Sequence, residues 1–425
     1  MDLLGRIREE IALEANIRKS YVYRFLMNFQ LWWPIWVIYL QQERGLSLTR
    51  ITILDVPFLL LVVLAEVPTG AIADRFGRRT SLILGSGLFA IAVFIFGIAE
   101  SYPVILLSYT VWGLALTFQS GADTAILYDS LKAVGREPDF QKINSRLWAL
   151  TSLSVLIAIL IGAPIAAATS FTFAITLSAV IALAAVPIAW SMHEPQGEHG
   201  GAHEDYFGTV RTGVRDAWEH PRLRYMILFS AVLMACTYAP MVFAQPFLAE
   251  HGVSLGNLGL WQAPIRAAGV VGALFAAQLV SRLGERGAFF AMPTAIVIAM
   301  IALAGVDQTW AAAAYLLVGA VAGIQNPVLA TYINRHIPSS RRATMLSVQN
   351  LVGNLILAGI QPLSGYVADS AGLQGMFLMF TLVLGIVGFG SLALWLRAER
   401  AGDAIIDEAE ERAEQEQAGA PVTVS

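Results

Sequence analysis

Residues 80–99 read TSLILGSGLFAIAVFIFGIA, a run without a single charged side chain. At 1.5 Å per residue a helix of this length crosses the roughly 30 Å hydrocarbon core of a bilayer. A second uncharged run, GMFLMFTLVLGIVGFGSLALWL, occupies 375–396, and similar windows recur between them and before them. Reading apolar windows between charged or turn-rich breaks places spans near 21–41, 51–73, 80–99, 103–131, 143–168, 171–192, 223–249, 257–281, 287–306, 309–334, 343–368 and 373–397. The whole composition agrees: 56% of the 425 residues are hydrophobic and 14% charged, against about 25% charged in soluble domains, with a mean hydropathy of +0.63. An ordinary soluble enzyme is excluded, and the expectation is an all-α integral membrane protein of about twelve transmembrane helices.

Orientation follows from the positive charges, not from the net charge of −4. One set of connections holds Arg75, Arg78, Arg79, Lys132, Arg136, Lys142, Arg146, Arg211, Arg215, Arg222, Arg224, Arg282, Arg286, Arg335, Arg341 and Arg342, together with both tails, whereas the other holds only Arg44 and Arg50. Both termini are therefore expected in the cytoplasm and the protein in the cell (plasma or inner) membrane, multi-pass. The start, MDLLGRIREEIALEANIRKS, is too charged for a cleavable signal; it reads either as a surface helix with Leu3, Leu4, Ile7 and Ile11 on one face or as a tail. A lone Cys236 rules out an internal disulfide.

Expected organisation is a cytoplasmic segment 1–20, a six-helix bundle 21–192, a cytoplasmic loop 193–222, a second six-helix bundle 223–397 and an acidic cytoplasmic tail 398–425. The halves echo each other: Gly70-Ala-Ile-Ala-Asp74-Arg75-Phe-Gly77-Arg78-Arg79 follows the second span, and Ala277-Gln-Leu-Val-Ser281-Arg282-Leu-Gly284-Glu-Arg286 follows the eighth. Tyr128 and Tyr332 stand at nearly matching intervals beyond those motifs. Spans three, six, nine and twelve carry no Asp, Glu, Lys, Arg, Asn or Gln inside them, so they are expected to face lipid while the polar spans surround a partly watered cavity.

The decapeptide GAIADRFGRR at 70–79, between the second and third spans, resembles the loop motif of the major facilitator superfamily (MFS). Over roughly residues 15–397 the resemblance implies two pseudo-symmetric six-helix bundles that rock about a midplane site. Independently, Gly70, Asp74 and Arg78 recur every four residues and share one helical face, Gly70 permitting a neighbouring helix to approach. Asp74 is then free to accept hydrogen bonds from another helix N-terminus, with the eleventh span's as the expected partner. The resemblance implies that such contacts close the cytoplasmic side of the outward-open state, with Asp129 as the acidic partner of Arg78. A glycine-proline element, Gly162-Ala163-Pro164, resembles bacterial drug/proton antiporter-like members; where these often have a carboxylate in the first span, this chain has Asn28 and Gln30.

Asp123, inside the fourth span, is the first candidate proton carrier, since a carboxylate there is protonated or paired, and helix packing is its other reading. Glu66 belongs either to proton coupling or to the gate, and Asp55 reads as solvated near the outer surface. Arg266, deep in the eighth span, needs a carboxylate, carbonyls or an anionic substrate, and Arg24 reads as snorkelling. Cavity candidates are Asn28 with Trp32 and Trp36 on a mixed stripe, Gln119, Gln262, Gln325, Asn326, and the stripe Asn350, Asn354 and Gln361. His193, His199 and His203 lie in a glycine-rich acidic linker and read as hydrophilic chain rather than a metal site.

No GxxxxGK[ST] phosphate loop is present, which argues against an ATP-driven pump. The sequence therefore predicts a non-enzymatic secondary transporter without metal or other cofactor, working as a monomer in the lipid bilayer on a small-molecule substrate, with no nucleic-acid partner. The leading expectation is proton-coupled efflux of a small amphipathic organic compound. An importer or symporter of a metabolite, with Arg266 holding an anionic one, is the alternative, followed by a non-transporting receptor.

Overall fold

The computed structural model describes residues 3–195, 215, 218, 221–336 and 339–401, and all regular structure among them is helical. His199, His203 and residues 402–425 of the acidic tail lie outside the described residues. Nine helices are long and apolar enough to cross a bilayer among the described residues, two of them of double length, Leu255–Gly305 and Met345–Ala401. Each of these two folds back at a glycine with positive φ, Gly284 (69°) and Gly372 (74°), and so supplies two spans. The first span is broken, Leu3–Asn28 followed by Trp36–Gln42, and its inclusion gives the expected twelve in two six-helix bundles.

That break has a local cause. Pro34 removes a backbone N–H and its ring crowds the preceding turn, which favours the non-helical stretch 29–35 between Asn28 and Trp36. In hydrocarbon the freed backbone groups need partners, and neighbouring spans provide them. Ser178 Oγ accepts from Leu31 N (2.9 Å), Gln245 Nε2 donates to Trp33 O (2.9 Å) while its Oε1 accepts from Val37 N (3.0 Å), and Gln262 Nε2 donates to Pro34 O (2.9 Å).

The repeat is visible in the backbone: Gly77 (φ 91°) after the second span and Gly284 after the eighth adopt the same left-handed turn, which disfavours any side chain. The uncharged spans expose apolar stripes, such as Leu84, Ile91, Phe94 and Ile98 on the third and Leu378, Leu382 and Ile386 on the twelfth. These are the surfaces that meet lipid.

The bundles touch on one face and part on the other. On the face opposite the basic connections, a Cβ at Gly259 of the eighth span would lie 2.2 Å from Ile159 O of the fifth, and one at Gly365 of the eleventh would lie 2.1 Å from Thr52 Oγ1 of the second. Toward the basic face the same four helices expose large apolar side chains: Leu64, Trp148, Leu274 and Leu355. Nothing lies within 4 Å of a Cβ at Gly70, so the close helix approach expected there is not made in this conformation.

Candidate substrate and gating sites

The broken first span turns its aromatic residues inward. Trp32 and Trp33 stack with centroids 4.9 Å apart, and the Trp32 Nε1–H donates to Gln30 Oε1 (3.0 Å). Trp112 of the fourth span stands edge-on to Trp32 (5.0 Å) and Tyr109 (5.0 Å), with Phe58 at 4.9 Å. Together they wall a chamber of about 410 Å³ that Asn28, Trp36, Gln119 and Gln361 also line. Asn28, Trp32 and Trp36 thus do share a cavity, although the chain between them is not helical and the regular stripe expected from their spacing does not exist.

Among the described residues one carboxyl group lines this chamber, that of Asp55, and its surroundings correct the expectation of simple solvation. The second span begins at Leu48, not near 51, which carries Asp55 about 10 Å below the helix start. There it is buried, and Tyr109 Oη donates to its Oδ1 at 2.8 Å. Two wall groups, Trp112 Nε1 and Gln361 Oε1, are buried without a hydrogen-bond partner among the described residues.

Other candidates are dispersed. Gln262 serves the Pro34 carbonyl as described, Gln325 is buried with neither amide atom paired among the described residues, Asn326 and Asn350 are exposed, and Asn354 is half-buried. None of these five lines the chamber; Gln361 alone of the eleventh-span stripe does. Trp33, Trp112, Phe58 and Tyr109 were not singled out from sequence, and the signal available was the Trp-Trp-Pro triplet, whose proline breaks the helix beside two indoles.

Asp123 is paired. The fourth span breaks at Gly121, and Asp123 lies in the first turn of the helix Ala122–Ala133, where the dipole favours a carboxylate. Arg24 Nε reaches its Oδ2 at 2.9 Å, Thr124 Oγ1 donates to its Oδ1 at 3.1 Å, and the guanidinium lies 5.3 Å from the Trp148 ring. Arg24 is therefore a buried partner and not a snorkelling end. Glu66 is exposed.

At the loop motif Arg78 forms the expected ion pair with Asp129. A further carboxylate joins it: Glu194, at the end of the sixth span, accepts from Arg78 N (2.8 Å) and Arg79 N (2.7 Å) and so caps the third span. A Cβ at Gly77 would sit 2.9 Å from its Cδ, a second reason for glycine. Arg75 is exposed with its guanidinium over Phe76. Asp74 is exposed too and makes no hydrogen bond to the eleventh span among the described residues, in keeping with the parted basic face.

The opposite face carries a clasp of its own. Asp369, just past the eleventh span, accepts from Leu48 N (3.0 Å), Thr49 N (2.8 Å) and Thr49 Oγ1 (2.5 Å) at the start of the second.

Two bundles, a loop motif closed by Arg78–Asp129 and a chamber between the halves meet in one known family, and a family model described as Major Facilitator Superfamily matches residues 25–362. The chain belongs to the Major Facilitator Superfamily. An MFS relative in Bacillus subtilis (strain 168), the uncharacterized MFS-type transporter YxaM, is 24% identical over 371 residues, covering 83% of this chain and 88% of its own. Among solved MFS structures, the nucleoside transporter NupG superposes with TM-score 0.75 at 14% identity, over 91% of this chain and 99% of that one. A bacterial homolog of the human lysosomal transporter Spinster, in an inward-facing and unoccupied conformation, gives 0.66 at 15% identity, over 94% and 98%. At those identities the structures speak for the MFS fold. Family and relative together make the protein a membrane transporter and not an enzyme.

Proposed function

We propose that this MFS transporter performs proton-coupled efflux of a small amphipathic organic compound by alternating access, as a monomer in the cell membrane with both termini cytoplasmic. The supporting observation is the chamber between the bundles: flat indole and phenol faces on several sides, amides at its edge and the Asp55 carboxyl at one end. Aromatic walls suit a flat apolar body, and the two unpaired groups of Trp112 and Gln361 mark polar positions that bound solute or rearrangement would satisfy. The basic face corresponds to the cytoplasm by the positive-inside rule, so this conformation is inward-facing.

In this reading the proton resides on Asp55. Among the described residues it has a phenol and no cation beside it, so in this scheme it either holds its proton or receives a cationic group from the solute. Asp123 remains the second candidate, and its ion pair with Arg24 has to open before it exchanges a proton. Asp74, Arg75, Arg78, Arg79 and Asp129, with Gly70 and Gly77, act as the cytoplasmic gate, Asp74 engaging only when the bundles close on that side. Glu66, exposed on the same helix face, belongs with the gate in this scheme. A second reading, symport of an anionic metabolite, is favoured by Arg266, a deep cation with no ion pair among the described residues.

The test is proton movement in inverted vesicles, challenged with lipophilic cations, organic anions and nucleosides, for the wild type, Asp55→Asn and Asp123→Asn. Efflux is supported if a compound discharges the proton gradient and Asp55→Asn abolishes that response. Exchange of labelled solute with no proton movement overturns the coupling.

A further inference from the structure

Arg266 lies eight residues beyond Leu258 in the eighth span, about 12 Å below the helix start. At such depth a guanidinium requires an anion, a set of carbonyls or water. Its carbon sits 5.3 Å from the centroid of Trp33, which is itself stacked on Trp32. This stack spans the two bundles and fixes the flat face of the guanidinium, while its N–H donors project from the edge. Arg266 is exposed, and among the described residues no carboxylate reaches it and no hydrogen bond is made.

What it faces is a second cavity, of about 640 Å³, between the fifth span of one bundle and the seventh, eighth and tenth of the other. The walls are mainly apolar, with Trp148, Leu153 and Leu156 on one side and Met241, Val270 and Val271 on the other, and the fifth span adds the hydroxyls of Thr151 and Ser152. Exposed Leu274 and Phe275 continue the same apolar surface toward the basic face. Above it the slot is shut where Gly259 packs on the Ile159 carbonyl. The other cation beside the slot, Arg24 over Trp148, is already neutralised by Asp123. The slot adjoins the aromatic chamber at Tyr238, which lines both, and across the Arg266–Trp33 stack, but its other walls are its own.

We propose that this slot binds an amphiphilic organic anion, with its acid group on the edge of Arg266 and its hydrocarbon chain between the fifth and eighth spans. A carboxylate or phosphate fits the guanidinium fork through paired charge-assisted hydrogen bonds. A chain moving from lipid or micelle into an apolar slot gains little, so discrimination has to reside in the acid group. A neutral head of the same length is therefore the informative control. The inference does not depend on the transport direction or on the coupling ion.

The purified full-length protein in a non-ionic detergent is titrated with dibromostearate and with dibromostearyl alcohol while tryptophan fluorescence is followed. Expected is saturable quenching by the acid, with the alcohol needing at least roughly tenfold more, the size of one charged hydrogen bond. Trp148→Phe should remove part of the quenched amplitude, because Trp148 lines the slot. Arg266→Gln should bring the acid's half-saturation to that of the alcohol, and Arg266→Lys should fall between, keeping charge without the fork. Equal quenching by acid and alcohol in the wild type overturns the proposal without any variant. So does a full quenched amplitude in Trp148→Phe, which would put the chain elsewhere.

Discussion

The two carboxylate oxygens of Asp369 divide the start of the second span between them, Oδ1 accepting from Leu48 N and Oδ2 from Thr49 N and Oγ1. A side chain of the C-terminal bundle thus caps a helix of the N-terminal bundle, and the helix dipole adds to the attraction. On the basic face the analogous group, Asp74, stands exposed at the end of the same span. One helix therefore has a carboxylate at each end, contributed at one end by the other bundle and at the other by itself, and among the described residues only the first bridges the bundles. In the alternating-access scheme proposed above, rocking would exchange one for the other, and Asp369 satisfied with Asp74 idle would be the arrangement of one of its two states.

Asp369→Asn should weaken the closed opposite face. Hydrogen bonds to a charged acceptor contribute about 1.5–3 kcal/mol when protected, and exposure reduces that here, so a shift of roughly tenfold between conformations is expected. Spin labels at Arg50 and Ser370, both exposed, report it as a new, longer distance. An unchanged distribution would remove the clasp from the mechanism.

Acid should do the same. Burial acts to raise the Asp369 pKa, but bonds from Thr49, Leu48 and Ser47 outweigh it and hold the group below its ordinary value. A carboxyl depressed in the closed state favours that state above its ordinary pKa, and the contribution is lost as pH falls through the depressed one. Opposite-face acidification below the usual carboxylate range should lengthen the Arg50–Ser370 distance in the wild type. The Asp369→Asn protein should show no such step.

Sequence carried the architecture because bilayer length and charge asymmetry are coarse constraints, met by whole segments such as 80–99. It also carried Arg78 with Asp129, a pair fixed by a short motif and a helix end. It failed where partners are set by packing between distant spans. Asp55 and Tyr109 lie 54 residues apart, and Glu194 reads in sequence as part of a loop, whereas its carboxylate sits on the third-span N-terminus. Polar residues in spans were legible as important but not as to purpose: Gln245 and Gln262 serve a broken backbone that only Pro34 announced.

Gly365→Leu should force the opposite face apart, since even a Cβ would stand 2.1 Å from Thr52 Oγ1 and 2.6 Å from Leu48 O. In a Cys236→Ser background, a cysteine at Asn28 in the chamber should then react with an impermeant maleimide from the opposite side. Gly365→Ala should act in the same direction and less strongly. Protection identical to that of the parent protein would show that the second and eleventh spans can separate without opening a path.

Arg24 and Asp123 allow structure and coupling to be told apart. Arg24 is buried and Asp123 about a quarter exposed, so removing one partner leaves a poorly solvated charge, at a cost of up to about 3–5 kcal/mol for a fully buried pair and less for this one. Asp123→Asn alone should therefore lower the thermal midpoint more than Arg24→Gln with Asp123→Asn together, because the double variant leaves no orphan charge. If the pair is structural, the double variant regains proton-driven transport along with its stability, whereas Asp55→Asn keeps its stability and loses the coupling. If the double variant is stable but no longer moves protons, the proton belongs to Asp123, and the aromatic chamber with Asp55 is left to bind the solute alone. Thermal unfolding and vesicle proton flux, measured on the same four proteins, separate these outcomes because the first reads the ion pair and the second reads the proton.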